Sequence, residues 1–150
     1  MRAVTFILLL LSPILLAREA AQSPLPAIDL SIRGISIRAE VADEDPERQA
    51  GLMFRTELGK DAGMLFVMPT VGPASFWMKN TPLPLSIAYI SPAGRILEIH
   101  DLEPHVDKAV RSTFQNIAFA LEMRRGWYSE NGVFAGDTIK GLPPHPARRD

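Results

Sequence analysis

The segment from Phe76 to Thr81 places polar side chains directly after an aromatic pair. After Trp77 and one methionine come the ammonium group of Lys79, the amide of Asn80 and the hydroxyl of Thr81. An aromatic surface beside a few hydrogen-bonding groups is the usual composition of a site for a small ligand. The alternative interpretation is that the amide and the hydroxyl bond to nearby backbone groups and only fix a turn, while the ammonium points into water.

Two further charged residues could join this site from elsewhere in the chain. Glu122 is the only charge in the apolar stretch from Ile117 to Met123, and Arg55 ends the sequence GLMFR. A charge among buried neighbours is costly unless it is paired, so Glu122 needs a partner, which Arg55 or Lys79 could supply. Such a pair would be either a structural ion pair or part of a ligand-anchoring or acid/base site. The candidate ligand-binding residues are Arg55, Trp77, Lys79, Asn80, Thr81 and Glu122.

His100 is a further candidate because Asp101 follows it directly. A histidine beside a carboxylate can ligate a metal or act as a general base, but no third ligand stands at a defined spacing. Five methionines could suit Cu(I), yet each lies among apolar residues and is better explained by packing in the core. The sequence therefore predicts no metal site and no cofactor. The methionines are Met53, Met64, Met68, Met78 and Met123.

Composition and charge exclude several classes of protein. The chain has 150 residues, of which 47% are hydrophobic, and this indicates one ordinary globular domain. Sixteen basic residues stand against seventeen acidic ones, so no excess of positive charge would drive binding to nucleic acid. The chain has no cysteine, which excludes disulfides, thiolate metal sites and a cysteine nucleophile.

The first residues are typical of a secretory signal peptide. Arg2 precedes an apolar run from Ala3 to Ala17 that is too short for a stable membrane span and contains Pro13. We expect residues 1–21 to be removed, which predicts an exported and most simply periplasmic protein. The mature form would then have no stable membrane span.

The elements that must position the candidate residues are mostly strands. Residues 22–27 are predicted to be a proline-containing linker, and apolar residues then alternate with polar ones from Ile28 to Val41 around Gly34. A helix should start with Asp45 as its N-cap and Pro46 in its first turn. Buried strands are expected at Met64–Met68, Ser75–Met78 and Ile117–Met123, with a hairpin over Leu85–His100 and a last strand at Ile139.

Many short strands with one or two short helices predict a mainly β fold. We expect a small antiparallel β-sandwich or a partly closed β-barrel, formed as a single β domain by residues 28–142. The proline-rich residues 143–150 are predicted to be a disordered tail.

Several segments together resemble the domain of unknown function 192 family, in the family's order and approximate spacing. This resemblance implies a small, mainly β domain that bacteria often export, and it implies no activity. The chain departs from the family at Ser86, where an aspartate is usual, and at residues 112–116, where a loop rich in Ser, Gly and Pro is usual. The matching segments are GLMFR (51–55), GMLFVM (63–68), FWMKNT (76–81), PLPLSIAYISPAGRILEI (82–99), LE (121–122) and GD (136–137).

Three classes of function follow from the sequence. The first is an exported domain that binds a small polar ligand at a site around Phe76–Thr81, and we favour it because no nucleophile–base pair is evident. The second is a hydrolase-like or other enzyme that uses Lys79, His100 or Glu122. The third is a structural or partner-binding domain of an envelope assembly, whose protein partner the sequence does not identify.

Overall fold

Residues 19–146 are described in the structure, a computed structural model, and form nine strands and two short helices. In chain order these are β1 (Ala27–Ile32), β2 (Ile35–Ala42), α1 (Asp45–Ala50), β3 (Ala62–Gly72), β4 (Ser75–Phe76), β5 (Leu85–Ile90), β6 (Ile96–Leu102), β7 (Val110–Arg111), β8 (Ile117–Arg124), α2 (Trp127–Glu130) and β9 (Ile139–Lys140). The fold is therefore mainly β with two short helices, as the sequence predicts.

Seven of the strands form one sheet in the order β6-β5-β8-β3-β2-β1-β9. All neighbouring pairs are antiparallel except β2 and β3, which run parallel. The large sheet is therefore mixed, with one parallel pair among antiparallel neighbours. The chain from the end of β2 passes through α1 before it enters β3, and such a crossover is what parallel neighbours require.

The sheet curls until its two outer strands meet at one end. The amide of Ile139 donates to the carbonyl of Gly94 at 2.8 Å, and the amide of Ile96 donates to the carbonyl of Asp137 at 2.8 Å. Arg95 and Thr138 form a bridge between the same two segments. The alternative of a partly closed barrel is therefore the one that the structure supports.

The predicted hairpins form in the expected places. Strands β1 and β2 are joined by Arg33 and Gly34, which both have positive φ angles of 52° and 83°. A two-residue turn with this geometry matches the right-handed twist of the strands, and glycine adopts it without steric cost. Between β5 and β6 the amide of Gly94 donates to the carbonyl of Ser91 at 2.9 Å, which closes the second predicted turn.

Two local predictions differ from the structure. The N-cap of α1 is Glu44 rather than Asp45, because the Glu47 carboxylate accepts the backbone N–H of Glu44 at 3.1 Å and so fixes the cap one residue earlier. The predicted strand Ser75–Met78 is only two residues long. It pairs with β7 in a separate small sheet, after which the chain turns away at Trp77.

The core lies on both sides of the large sheet. Along β3, Leu65 and Val67 belong to one buried cluster, while Met64 and Phe66 belong to another. The first cluster includes Trp127 of α2. The second cluster is covered by α1 and the small sheet. We call this face of the large sheet the α1 side. It contains Ala42, Leu52, Met64, Phe66, Ala74, Met78, Leu85, Ile87, Tyr89, Leu102, Ile117 and Ala120.

The segments at both ends of the described chain pack against the domain. In the predicted linker, the side chain of Gln22 donates to the carbonyl of Gly51 at 2.8 Å. In the predicted disordered tail, His145 is buried and its ring nitrogen lies 2.8 Å from the carbonyl of Met68. The ring of His145 also packs edge-on against the ring of Phe119, with ring centres 5.4 Å apart. Residues 1–18 and 147–150, with most of the predicted signal peptide, lie outside the described residues.

Candidate functional site

Glu122 and His100 lie in one row across the large sheet. In β8, Glu122 pairs with Met64 of β3 on one side and with Ile87 of β5 on the other. Ile87 in turn pairs with His100 of β6. Directly paired residues project to the same face of a sheet, so all four side chains point to the α1 side. Ile87 separates His100 from Glu122.

Glu122 is the one acidic side chain buried in the described part of the chain. It is only 4% exposed, and within residues 19–146 its carboxyl group has neither a hydrogen bond nor an ion pair. Burial disfavours the charged form and raises the pKa of Glu122 to about 8. The carboxyl group is therefore mainly protonated at neutral pH.

A small cavity of about 30 Å³ lies beside this carboxyl group. The C-terminal half of α1 and the residues after it form one wall, and the turn that ends at Thr81 forms another. A cavity of this size has room for about two water molecules. Its lining residues are Arg48, Gln49, Ala50, Gly51, Leu52, Met53, Phe66, Phe76, Trp77, Thr81 and Glu122.

A larger groove of about 230 Å³ adjoins this cavity between α1 and β4. The cavity and the groove share four lining residues, Arg48, Gln49, Phe76 and Trp77. The indole of Trp77 is 48% exposed at this junction. We call the two spaces together the Glu122 groove, with an inner cavity and an outer groove.

Arg48 lines both the inner cavity and the outer groove. Its Nη1 atom donates to the carbonyl of Asp43 and, at 3.0 Å, to the carbonyl of Val67. Its Nη2 atom pairs with the carboxylate of Asp45. The positive charge of Arg48 is thus already engaged by groups in β3 and near the start of α1. The sequence patterns did not single out this arginine.

Neither Arg55 nor Lys79 pairs with Glu122, so the pairing expected from the sequence is wrong. Arg55 makes two hydrogen bonds of 3.0 and 2.9 Å with the carboxylate of Glu40 in β2. The same carboxylate also accepts the backbone N–H of Leu25 at 2.8 Å. The alternation of β2 suggested an exposed position for Glu40, and nothing in the sequence pattern marked it as the partner of Arg55.

The polar residues after Trp77 mainly build the turn. The hydroxyl of Thr81 donates to the carbonyl of Lys79 at 3.1 Å, and the ammonium of Lys79 lies 5.3 Å from the ring centre of Trp77. Asn80 has a φ angle of 53°, and its carbonyl accepts the amide of Phe54 at 2.7 Å. Of the six predicted residues, Trp77, Thr81 and Glu122 line the inner cavity, whereas Arg55, Lys79 and Asn80 do not.

His100 belongs to a second polar cluster on the α1 side. Its Nε2 atom lies 2.9 Å from the carboxylate of Glu98, which also accepts the amides of Thr113 and Phe114 at 2.7 and 3.2 Å. Burial opposes ionisation of Glu98, but these hydrogen bonds outweigh it and lower the pKa of Glu98. The cluster therefore ties β6 to the loop before β8.

Tyr89 lies near two acidic residues of this face, Glu122 and Glu98. Its hydroxyl donates to the carbonyl of Val110 at 2.6 Å. Burial raises the pKa of Tyr89, and the neighbouring Glu122 and Glu98 raise it further. The phenol stays protonated and helps to hold β7 over the sheet. Alternating apolar residues in β5 predicted a buried tyrosine but not this hydrogen bond.

Ser86 stands at the position where an aspartate is usual in the family that the chain resembles. Its hydroxyl donates to the carboxylate of Asp101 at 2.6 Å and accepts the amide of Gly126 at 3.3 Å. The two residues are directly paired across β5 and β6. An aspartate at position 86 would face a second carboxylate here, whereas the serine supplies a donor.

The described part of the chain has neither a cluster of metal-binding side chains nor a helix that could span a membrane. Among residues 19–146 no group of three or more histidine or acidic side chains is arranged to hold a metal ion. Within the same range no helix is both long and apolar enough to cross a membrane.

Comparisons with known proteins show the family of this chain and no activity. No curated protein matches the sequence. A solved structure from Sinorhizobium meliloti, described as a candidate transcription regulator, has 31% identity and a TM-score of 0.77, covering 80% of this chain and 97% of that one. A solved structure of a protein of unknown function from Novosphingobium aromaticivorans has 29% identity and a TM-score of 0.74. The match covers 83% of this chain and 94% of that one.

The family profile matches nearly all of the folded domain. Residues 28–141 fit the profile of domain of unknown function 192, described as "Uncharacterized ACR". These residues run from β1 to just past β9, so they include every strand of the sheet and the whole Glu122 groove. The chain therefore belongs to the domain of unknown function 192 family.

Proposed function

We propose that this domain binds a small polar ligand in the Glu122 groove, with the carboxyl group of Glu122 as its innermost contact. The observation that carries the proposal is the carboxyl group itself. It is buried, it has no hydrogen-bond partner within residues 19–146, and it borders a cavity. Nearly all buried polar groups in proteins are paired. A ligand group in the inner cavity would supply the missing partner.

The surroundings of the carboxyl group support a binding site. Trp77 offers a half-exposed aromatic surface at the mouth of the inner cavity. Phe76 packs against Phe66 with ring centres 4.8 Å apart, which holds the wall of the groove in place. A mostly preformed cleft with aromatic walls and one convergent polar group is the general form of small-molecule sites.

The enzyme alternative receives less support from the geometry. Ile87 lies between His100 and Glu122 in the sheet, and His100 is bonded to Glu98 instead. Lys79 rests on Trp77 and does not line the inner cavity. A general acid or base must lie within hydrogen-bond reach of the proton that it transfers, and this arrangement does not bring these three residues together around one reacting atom. We therefore favour binding over catalysis.

A screen of small molecules against matched variants tests the proposed function. Ligand-observed NMR would use neutral, cationic and anionic compounds of about ten non-hydrogen atoms, with the chain from residue 22 onward. We expect compounds that bind the wild type to lose binding in Glu122→Met, whose side chain has similar volume but no carboxyl group. Glu57→Met is the control, since Glu57 is exposed and does not line the groove.

Each outcome of the screen decides the proposal. Binding that disappears in Glu122→Met and persists in Glu57→Met supports it. Binding that both variants retain would place the ligand elsewhere, and a complete absence of binding at millimolar concentration would also refute the proposal. Urea denaturation of both variants shows that they are folded under the conditions of the screen.

A further inference from the structure

Two of the side chains that could donate hydrogen bonds into the inner cavity, Thr81 and Arg48, are already engaged within the protein. The hydroxyl of Thr81 donates to the carbonyl of Lys79. The Nη atoms of Arg48 donate to the carbonyls of Asp43 and Val67 and to the carboxylate of Asp45. A ligand group that mainly accepts hydrogen bonds would therefore depend on the two other side-chain donors of the lining, the amide of Gln49 and the indole N–H of Trp77.

Acceptors are available at the same place. The carboxyl group of Glu122 borders the cavity without a protein partner in residues 19–146, and the last residues of α1 form one wall. The carbonyls of Ala50 and Gly51 in this wall already accept hydrogen bonds from the amide of Met53 and the side chain of Gln22, so the class of ligand depends on the Glu122 carboxyl group. A buried carboxyl group without a partner favours a donor-rich, positively charged group.

The size of the inner cavity limits that group to a few atoms. About 30 Å³ accommodates an ammonium group and the carbon that bears it, but no ring. The outer groove is several times larger, at about 230 Å³, and has Met68, Phe76 and Trp77 in its walls. A compact head and an apolar or aromatic body would thus fill the two spaces.

From these observations we infer that the ligand is a primary amine whose ammonium group binds Glu122 and whose apolar body lies against Trp77 in the outer groove. This inference rests on the proposed function and names the class of ligand. Trp77 already faces one ammonium group, that of Lys79, at 5.3 Å from its ring centre, which shows that the indole accepts a cation nearby.

Binding of an ammonium group must be coupled to loss of a proton from Glu122. On the α1 side, the titratable and charged groups near Glu122 are Tyr89 from β5 and Arg48 from α1, with His100 of β6 and the Glu40–Arg55 pair two strands away in the same row of the sheet. Tyr128 of α2 lies across the sheet, and burial raises the pKa of both tyrosines. The tyrosines stay neutral, so the proton leaves from the carboxyl group with a pKa of about 8. Below pH 8, the affinity for the amine should therefore increase about tenfold for each unit by which the pH is raised.

Isothermal titration calorimetry with two probes tests the inference. Benzylamine carries the predicted head and body, and benzyl alcohol has the same body with a neutral head. We expect benzylamine to bind the wild type about tenfold more tightly at pH 7 than at pH 6, with release of nearly one proton, seen by comparing buffers of different ionisation enthalpy. Glu122→Gln should abolish binding of benzylamine, and Glu57→Gln should not.

The outcomes separate this inference from the proposed function. If benzyl alcohol binds the wild type but not Glu122→Met, and benzylamine does not bind, the amine is the wrong class and the proposed function stands. Benzylamine binding that is independent of pH or survives in Glu122→Gln would overturn the inference. Binding of neither probe would also overturn it, and the broader NMR screen would then decide the proposed function.

Discussion

Replacing Glu122 with glutamine should make the domain more stable at high pH and leave its stability almost unchanged at low pH. Glutamine has nearly the shape of a protonated glutamate, so the packing on the α1 side is preserved. In the wild type, both the folded and the unfolded chain hold the proton below pH 4.5, the ordinary pKa of the group. The substitution therefore has little effect there.

Between pH 4.5 and pH 8 the two states of the wild type differ in protonation. The unfolded chain loses the proton of Glu122 while the folded chain keeps it, so the free energy of unfolding falls as the pH rises. The fall is about 1.4 kcal/mol per pH unit and reaches about 5 kcal/mol above pH 8. Because domains of this size are stable by only about 5–15 kcal/mol, the effect is large.

Urea denaturation of the wild type, Glu122→Gln and Glu57→Gln at pH 5, 7 and 9 measures this effect. All other titrating groups are common to the three proteins, so their contributions cancel in the differences. We expect the advantage of Glu122→Gln over the wild type to grow by several kcal/mol from pH 5 to pH 9. An advantage that stays constant over this range would show that the carboxyl group is ionised in the folded state, and the argument from burial would fail.

Three further changes are expected to affect the free energy of unfolding, each measured by urea denaturation at pH 7. Lys79→Met should change it by a few tenths of a kcal/mol, since the lysine is exposed, and a loss above 1 kcal/mol would contradict this. Arg55→Met should cost about 2 kcal/mol because it leaves the partly buried carboxylate of Glu40 without its cation and with the backbone N–H of Leu25 still donating to it, and adding Glu40→Gln should recover part of the loss. Gly63→Ala should cost at least about 2 kcal/mol, because the new Cβ would lie 2.5 Å from the carbonyl oxygen of Glu122. If this variant were as stable as the wild type, the close packing of β3 on β8 would be contradicted.

Much of the fold could be predicted from local patterns in the sequence. The alternation from Ile28 to Val41 and the Ser91–Gly94 turn marked both hairpins, because these are decided by residues close together in the chain. The parallel pairing of β2 with β3 could not be predicted in this way. It depends on where α1 carries the chain, and a period of two is the same in parallel and antiparallel strands.

The candidate site was only partly predictable for the same reason. Glu122 could be identified because a single charge in an apolar strand stands out in any sequence. Its neighbours could not, since Arg48 reaches the cavity from a helix with no buried residue and Arg55 is engaged by Glu40 across a different pair of elements. Side-chain pairing between distant segments is set by the tertiary fold and leaves no mark on local spacing.

The strand β9 determines when the sheet can be completed during folding. Ile139 and Lys140 pair with Ile32 and Ser31 at the beginning of the domain, so this contact joins segments from the two ends of the domain. Pairings between such distant segments are slow to form. Until then β1 keeps an open edge that can pair with another chain. The interval before β9 pairs with β1 is therefore when the folding domain is most exposed to aggregation.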